Sequence, residues 1–186
     1  LTSYALAATL VAAADRARLA AQMAEVYRRR GEWAEALRQI AAGLDALDHA
    51  DDPVQRARLT VDHSLTLHLS GEPAAARSTA AAALRLAEQT ADVRALAQAH
   101  NLLGLLAHAG GDFSTACIHL ERSLALAERL GDIGARTAAL HNLALAWGGA
   151  NAQLETALAY ANQALTLCER QGDRHRAAAI HNTLAD

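Results

Sequence analysis

Stretches of apolar residues long enough for helices alternate along the chain with short steps carrying glycine or a polar residue. The clearest case is Ala97 to Ala109. Gly110-Gly111 closes it, because glycine takes the left-handed conformation that ends helices. Asp112 then stands at an N-cap position, the next helix runs from about Phe113 to Leu130, Gly131 ends it and Asp132 caps its successor. Pro53 and Pro73 sit near helix starts, where a missing N–H costs nothing. The same signals place helices near 15–30, 33–47, 54–70, 73–89, 92–109, 113–130, 133–148, 153–171 and 174–186, with a separate helix over 2–12.

These elements repeat. Gly31-Glu32, Gly71-Glu72 and Gly111-Asp112 recur at intervals of 40. Ala36, Ala76, Ala116 and Ala157 share one position of the period, and Leu44, Leu84, Leu124 and Leu165 another. Asp52, Asp92, Asp132 and Asp173 mark a second boundary, so each unit holds two helices. His100-Asn101, His141-Asn142 and His181-Asn182 recur at 41 and 40. The repeated Ala lets two helix backbones approach near the short end of the usual range. One hairpin cannot bury its apolar faces alone, whereas stacked hairpins can. The predicted architecture is therefore all-α, a right-handed α-solenoid of antiparallel helix pairs. It reads as one repeat domain over 1–186: a truncated preceding repeat at 1–14, repeats at 15–51, 52–91, 92–131 and 132–172, and the first helix of a truncated repeat at 173–186.

Composition agrees. Ala occurs 49 times and Leu 30 times, while aromatics are 3%, which favours helix and excludes a sheet-based enzyme. All 17 basic residues are Arg, and the net charge of -3 argues against a general nucleic-acid-binding role. Cys117 and Cys168 form no CxxC pair and read as small packing residues. No apolar run approaches the roughly 20 residues of a membrane helix. A start without Met and an end inside a helical pattern lead us to expect a piece of a longer, cytoplasmic protein.

The repeat residues resemble the tetratricopeptide repeat. That pattern has a small residue at unit position 8, Gly at about 15, an aromatic near 17, Ala at 20 and a small residue at 27. Gly104, Gly111, Phe113, Ala116 and Ser123 meet it in the unit starting at Ala97. Ala24, Gly31, Trp33, Ala36 and Gly43 meet it from Ala17, with Tyr27 at the family's aromatic position 11. The unit from Ala57 departs with Ser64 at position 8 and Pro73 at 17. The unit from Ala138 departs with Leu145 at 8 and Ala152 at the turn glycine. The long period is similar to that of kinesin light chains and of the sensor arms of bacterial signalling ATPases and transcription activators. Leu140-His141-Asn142-Leu143-Ala144 is close to the Leu-Asn-Asn-Leu-Ala phrase of that subset.

The resemblance implies a concave groove lined by unit positions 2, 5, 6, 9, 12 and 13 of each first helix. Position 5 is Asn101, Asn142 and Asn182, and Gln98 is at position 2. Asp62 is at position 6, Glu25, Leu65 and Leu105 at position 9, and Arg28, His68 and His108 at position 12. Asn is a poor interior helix residue, so its recurrence wants a reason. Carboxamides could pair with an extended peptide backbone, or each could bond a neighbouring helix. Arg28-Arg29-Arg30 could receive an acidic group, or be a solvated helix end. Arg174-His175-Arg176 reads as solvated surface. The recurring His are expected between the helices of one unit, each with one polar partner, not as metal ligands.

No phosphate loop, HExxH or GxSxG motif is present. The expected function is a non-catalytic module that binds a protein or peptide in the groove, without a cofactor. A sensing arm that takes a small-molecule effector, and a structural or self-association segment, are the alternatives. Self-association is expected at the ends: Ala178, Ile180 and Leu184 should lie against the preceding helix near Leu158 and Leu165 but leave one flank uncovered, and the segment around Tyr4, Leu6 and Leu10 lacks its own first helix.

Overall fold

A computed structural model describes the backbone of residues 2–48, 50–149 and 153–185, and side chains within 13–182 of those stretches. Nine helices and no strand are present among the described residues: α1 (Thr2–Arg29), α2 (Trp33–Asp48), α3 (Pro53–Leu69), α4 (Pro73–Thr90), α5 (Val93–Ala109), α6 (Phe113–Leu130), α7 (Ile133–Gly149), α8 (Leu154–Gln171) and α9 (Arg174–Ala185). The fold is the all-α helical repeat. The predicted stops are where the chain turns. Gly31, Gly71, Gly111, Gly131 and Gly172 all have positive φ. Asp52, Asp112, Asp132 and Asp173 each accept a backbone N–H three residues on. At the end of α4 the same left-handed step is made by Ala91, at φ 51, with no glycine to relieve it.

One boundary differs from the sequence reading. α1 continues without a break from Thr2 to Arg29, where a separate helix over 2–12 was expected. Ala12-Ala13-Ala14-Asp15 carries neither Gly nor Pro, so nothing local ends the helix there. The side chains of Tyr4, Leu6, Leu10 and Leu184, and the turn position Ala152, lie outside the described residues.

The chain forms two compact units, 1–95 and 96–186. In the first, α1 packs on α2, α2 on α3 and α3 on α4. Ala17, Ala24, Ile40, Leu47 and Leu59 form its core. A Cβ on Gly43 would stand 2.7 Å from Leu59 and 3.1 Å from the Ala20 methyl, so α2 sits there only because the side chain is a hydrogen. Ser64 replaces the usual small apolar residue and donates its hydroxyl to the Ala76 carbonyl at 2.6 Å. A buried hydroxyl needs an acceptor, and the close crossing supplies one.

In the second unit, α6 packs on α7, α7 on α8 and α8 on α9. The α5–α6 crossing uses the same device as the first unit. A Cβ on Gly104 would lie 2.5 Å from Leu120, and Ser123 donates to the Ala97 carbonyl at 2.8 Å. Leu140, Ala161, Ala164, Leu167, Cys168 and Ile180 close the last hairpin. Ile180 is fully buried in this cluster, on the preceding helix beside Leu165. Arg176, expected as solvated surface, donates to the Gly134 carbonyl at 3.1 Å and so ties α9 to the start of α7. The repeated Ala36, Ala76 and Ala116 are all 0% exposed, and Ala157 is 6%.

Candidate partner-binding residues

In unit 1–95, the residues at groove positions of α1 and α3 come together through charge. Arg28 bonds Glu25 one turn back and reaches Asp62 on α3 at 3.1 Å. Arg29 also pairs with Glu25, at 2.7 Å. The Arg28 side chain is only 13% exposed, so it is no solvated helix end, whereas Arg29 and Arg30 are exposed. Burial pushes the Asp62 carboxyl up, and the Arg28 guanidinium pulls it back down. These residues, with Gln22 and Val26, line an open hollow of about 440 Å³. Leu65 and His68, further along α3, are half-buried.

In unit 96–186, the corresponding step from one first helix to the next is made by neutral groups. Asn142 on α7 donates its Nδ2–H to Oδ1 of Asn101 on α5 at 3.0 Å. Both side chains are half-buried. An amide has two donor hydrogens and two acceptor lone pairs, so this bond leaves the Asn101 NH2 and the Asn142 carbonyl oxygen with capacity to spare. Asn182 is exposed on α9, as is Gln98 on α5, and Leu105 and His108 are half-buried. His108 stacks at a tilt on Phe113, ring centroids 5.6 Å apart, and its Nδ1 is buried without a partner.

His100 has the single polar partner expected of it. Its Nδ1 lies 2.9 Å from Nδ1 of His119 on α6, so one ring donates and the other accepts. Burial, the His119 ring and the Arg122 charge lower the His100 pKa to about 4, and His119 is also lowered. The pair is therefore neutral at pH 7. His119 sits off the repeated His-Asn step, which is why repetition did not point to it. His141 is half-buried and His181 is exposed.

Among the described residues no group of three or more His, Cys, Asp or Glu is placed to hold a metal. Cys117 and Cys168 are free and buried, and burial raises both thiols, which keeps them protonated. No described helix is long and apolar enough to cross a membrane. The arrangement offers paired charges and oriented amides, which suits binding of polar backbone or side-chain groups.

Solved structures match nearly the whole chain. RapI in its apo form superposes with a TM-score of 0.77 at 16% identity, over 90% of this chain and 61% of that one. A Rap protein complexed with Competence and Sporulation Factor gives 0.79 at 14% identity, over 91% of this chain and 47% of that one. A kinesin-light-chain candidate from Podosopora anserina, built of nearly identical TPR-like repeats, gives 0.68 at 18% identity, over 91% and 84%. The fold is tetratricopeptide-like. The chain spans less than two thirds of the length of the two Rap proteins. No family model matches the sequence, and no curated protein matches it.

Proposed function

We propose that this repeat segment is a non-catalytic module that binds an extended peptide or protein segment through the first helices of its units. The observation that carries this reading is the Asn142–Asn101 amide bond. Two poor helix formers occupy one repeat position and hold each other's amide planes in a fixed orientation. That leaves an N–H donor on Asn101 and a carbonyl acceptor on Asn142, the complement of a peptide unit. Pre-set orientation lowers the ordering cost of binding. The like fold of a Rap protein complexed with Competence and Sporulation Factor supports the reading. Asn182, Gln98, Leu105 and His108 belong to the proposed surface in unit 96–186, and Glu25, Arg28, Asp62, Leu65 and His68 in unit 1–95.

The test selects peptides from a random library on the intact chain, then measures their affinity and the protein's melting in the Asn101→Ala/Asn142→Ala double variant. We expect binding weakened about tenfold or more, the effect of losing one or two hydrogen bonds to ligand, with melting nearly unchanged. Unchanged binding with lowered melting would make the pair a strut between helices.

A further inference from the structure

A second surface lies in unit 1–95, on the exposed side of α1. Leu19 is 56% exposed and Val26 54%, and Met23 stands between them at 36%. Their spacing of four and then three residues puts all three on one stripe of the helix. A hollow of about 240 Å³ lies beside it, lined by Gln22, Met23, Val26, Tyr27 and Arg30. None of Arg16, Leu19, Met23 and Val26 is among the residues of the proposed groove.

The repeat shows what such a stripe meets elsewhere in the chain. Leu59 and Thr66 on α3 stand one period after Leu19 and Val26, and both are fully buried. There α3 packs on α2: Leu59 shares a cluster with Ile40 and Leu47, and a Cβ on Gly43 would come within 2.7 Å of it. In unit 96–186 the counterparts on α7 are Ala139 and Ala146, again fully buried, and Ala146 packs with Cys117 and Leu120 of α6. Each of these seams also carries an ion pair. Arg56 of α3 reaches Asp48 of α2 at 2.8 Å, and Arg136 of α7 reaches Glu128 of α6 at 3.6 Å. Both partners recur two periods on, so the two pairs are one feature repeated. Arg16 holds the same position on α1, one period before Arg56, and is exposed.

The side of α1 therefore carries what α3 and α7 use to receive a preceding helix, an apolar stripe with an arginine towards its start. The helices received there share a pattern. A bulky apolar residue (Ile40, Leu120) is followed three places on by a small one (Gly43, Ser123), and five places further by an acid (Asp48, Glu128). A basic helix would set like charge against Arg16, whereas an acid at that place pairs with it. From the exposed stripe, Arg16 and the repeated arginine–carboxylate seam, we infer that this side of α1 docks an amphipathic helix of another polypeptide that carries the same apolar, small and acidic pattern.

The probe is a synthetic peptide with the sequence of residues 32–51, which contains α2, titrated into the intact chain. Met23 is the one methionine, so a 13C-methyl label gives a single NMR signal on the stripe. The expected result is a saturable shift of that signal. Affinity should fall tenfold or more in Leu19→Glu, the size of losing one buried leucine contact. It should fall about fivefold in Arg16→Glu, and a peptide carrying Asp48→Arg should recover it there. Leu19 and Arg16 are exposed, so both variants should melt as the parent does. The inference is overturned by the absence of a saturable shift, or by unchanged affinity in Leu19→Glu. Failure of the reversed-charge peptide to recover binding overturns it as well. A Met23 shift on concentrating the chain alone would give this face to a second copy instead, and would also overturn it.

Discussion

Arg28 and Asp62 join α1 to α3 in unit 1–95, and Asn142 and Asn101 join α7 to α5 in unit 96–186. In both units the link runs from the first helix of one hairpin to the first helix of the next, and the donor–acceptor distances are close, 3.1 and 3.0 Å. The chemistry is opposite. The first is an ion pair whose carboxylate suffers from burial, and the second is a neutral bond between amides. The second unit also carries a neutral imidazole pair inside a hairpin. One backbone geometry therefore tolerates either kind of link, because the alanine seam fixes helix spacing and leaves these positions free to vary.

If the seam is the shared element, enlarging it should damage both units alike. Ala76→Leu in the first and Ala116→Leu in the second each place a branched side chain where there is no exposed surface. Each should cost about 1–3 kcal/mol in chemical denaturation. A large effect in one and none in the other would break the comparison at its base.

Acid should separate the units next. The folded-state pKa of His100 is lowered to about 4, below its unfolded value of 6.5. The unfolded chain therefore binds more protons between those values, and the contribution of His100 is full above pH 6.5 and lost as pH falls towards 4. The loss should be on the order of 2 kcal/mol, and His100→Gln should flatten the slope over that window. Asp62 runs the other way. Its folded pKa is raised, so stability referred to this group improves as pH falls through that value. An unchanged acid slope in His100→Gln would remove the imidazole pair as the cause.

Salt gives the smallest and finest distinction. A double-mutant cycle on Arg28 and Asp62 should return a coupling of roughly 1 kcal/mol at low ionic strength that shrinks by half or more in 1 M salt. The cycle on Asn101 and Asn142 should give about 0.5–1 kcal/mol and hold steady. Equal salt responses would show that charge is not what distinguishes the two links.

The sequence carried the helices because their ends are written in single residues. Gly131 and Gly172 take positive φ, and Asp52, Asp112, Asp132 and Asp173 cap with their side chains. Where no such residue stands, at Ala12 to Asp15, the expected break did not occur. Ala91 shows the reverse, a left-handed end made without glycine. The asparagine pair was legible because repetition exposes an unfavourable residue kept at one position. His119 was not, since it acquires its role only from a neighbouring helix, by pairing with His100 across a hairpin. Arg28 was placed at a groove position, but its pairing was not legible, because nothing in its spacing says that Asp62 comes within 3.1 Å.

The seam also sets how the hairpins can move. An alanine has no side-chain rotamers, so Ala36, Ala76 and Ala116, all at 0% exposure, and Ala157, at 6%, cannot absorb displacement by repacking. A seam of leucines could slip between rotamer states, but a seam of methyl groups either stays engaged or opens. Each hairpin is therefore a stiff plate, and deformation is passed on to the turns, where glycine dihedrals are soft. Force applied through a bound segment would bend such a chain at its turns, in discrete steps.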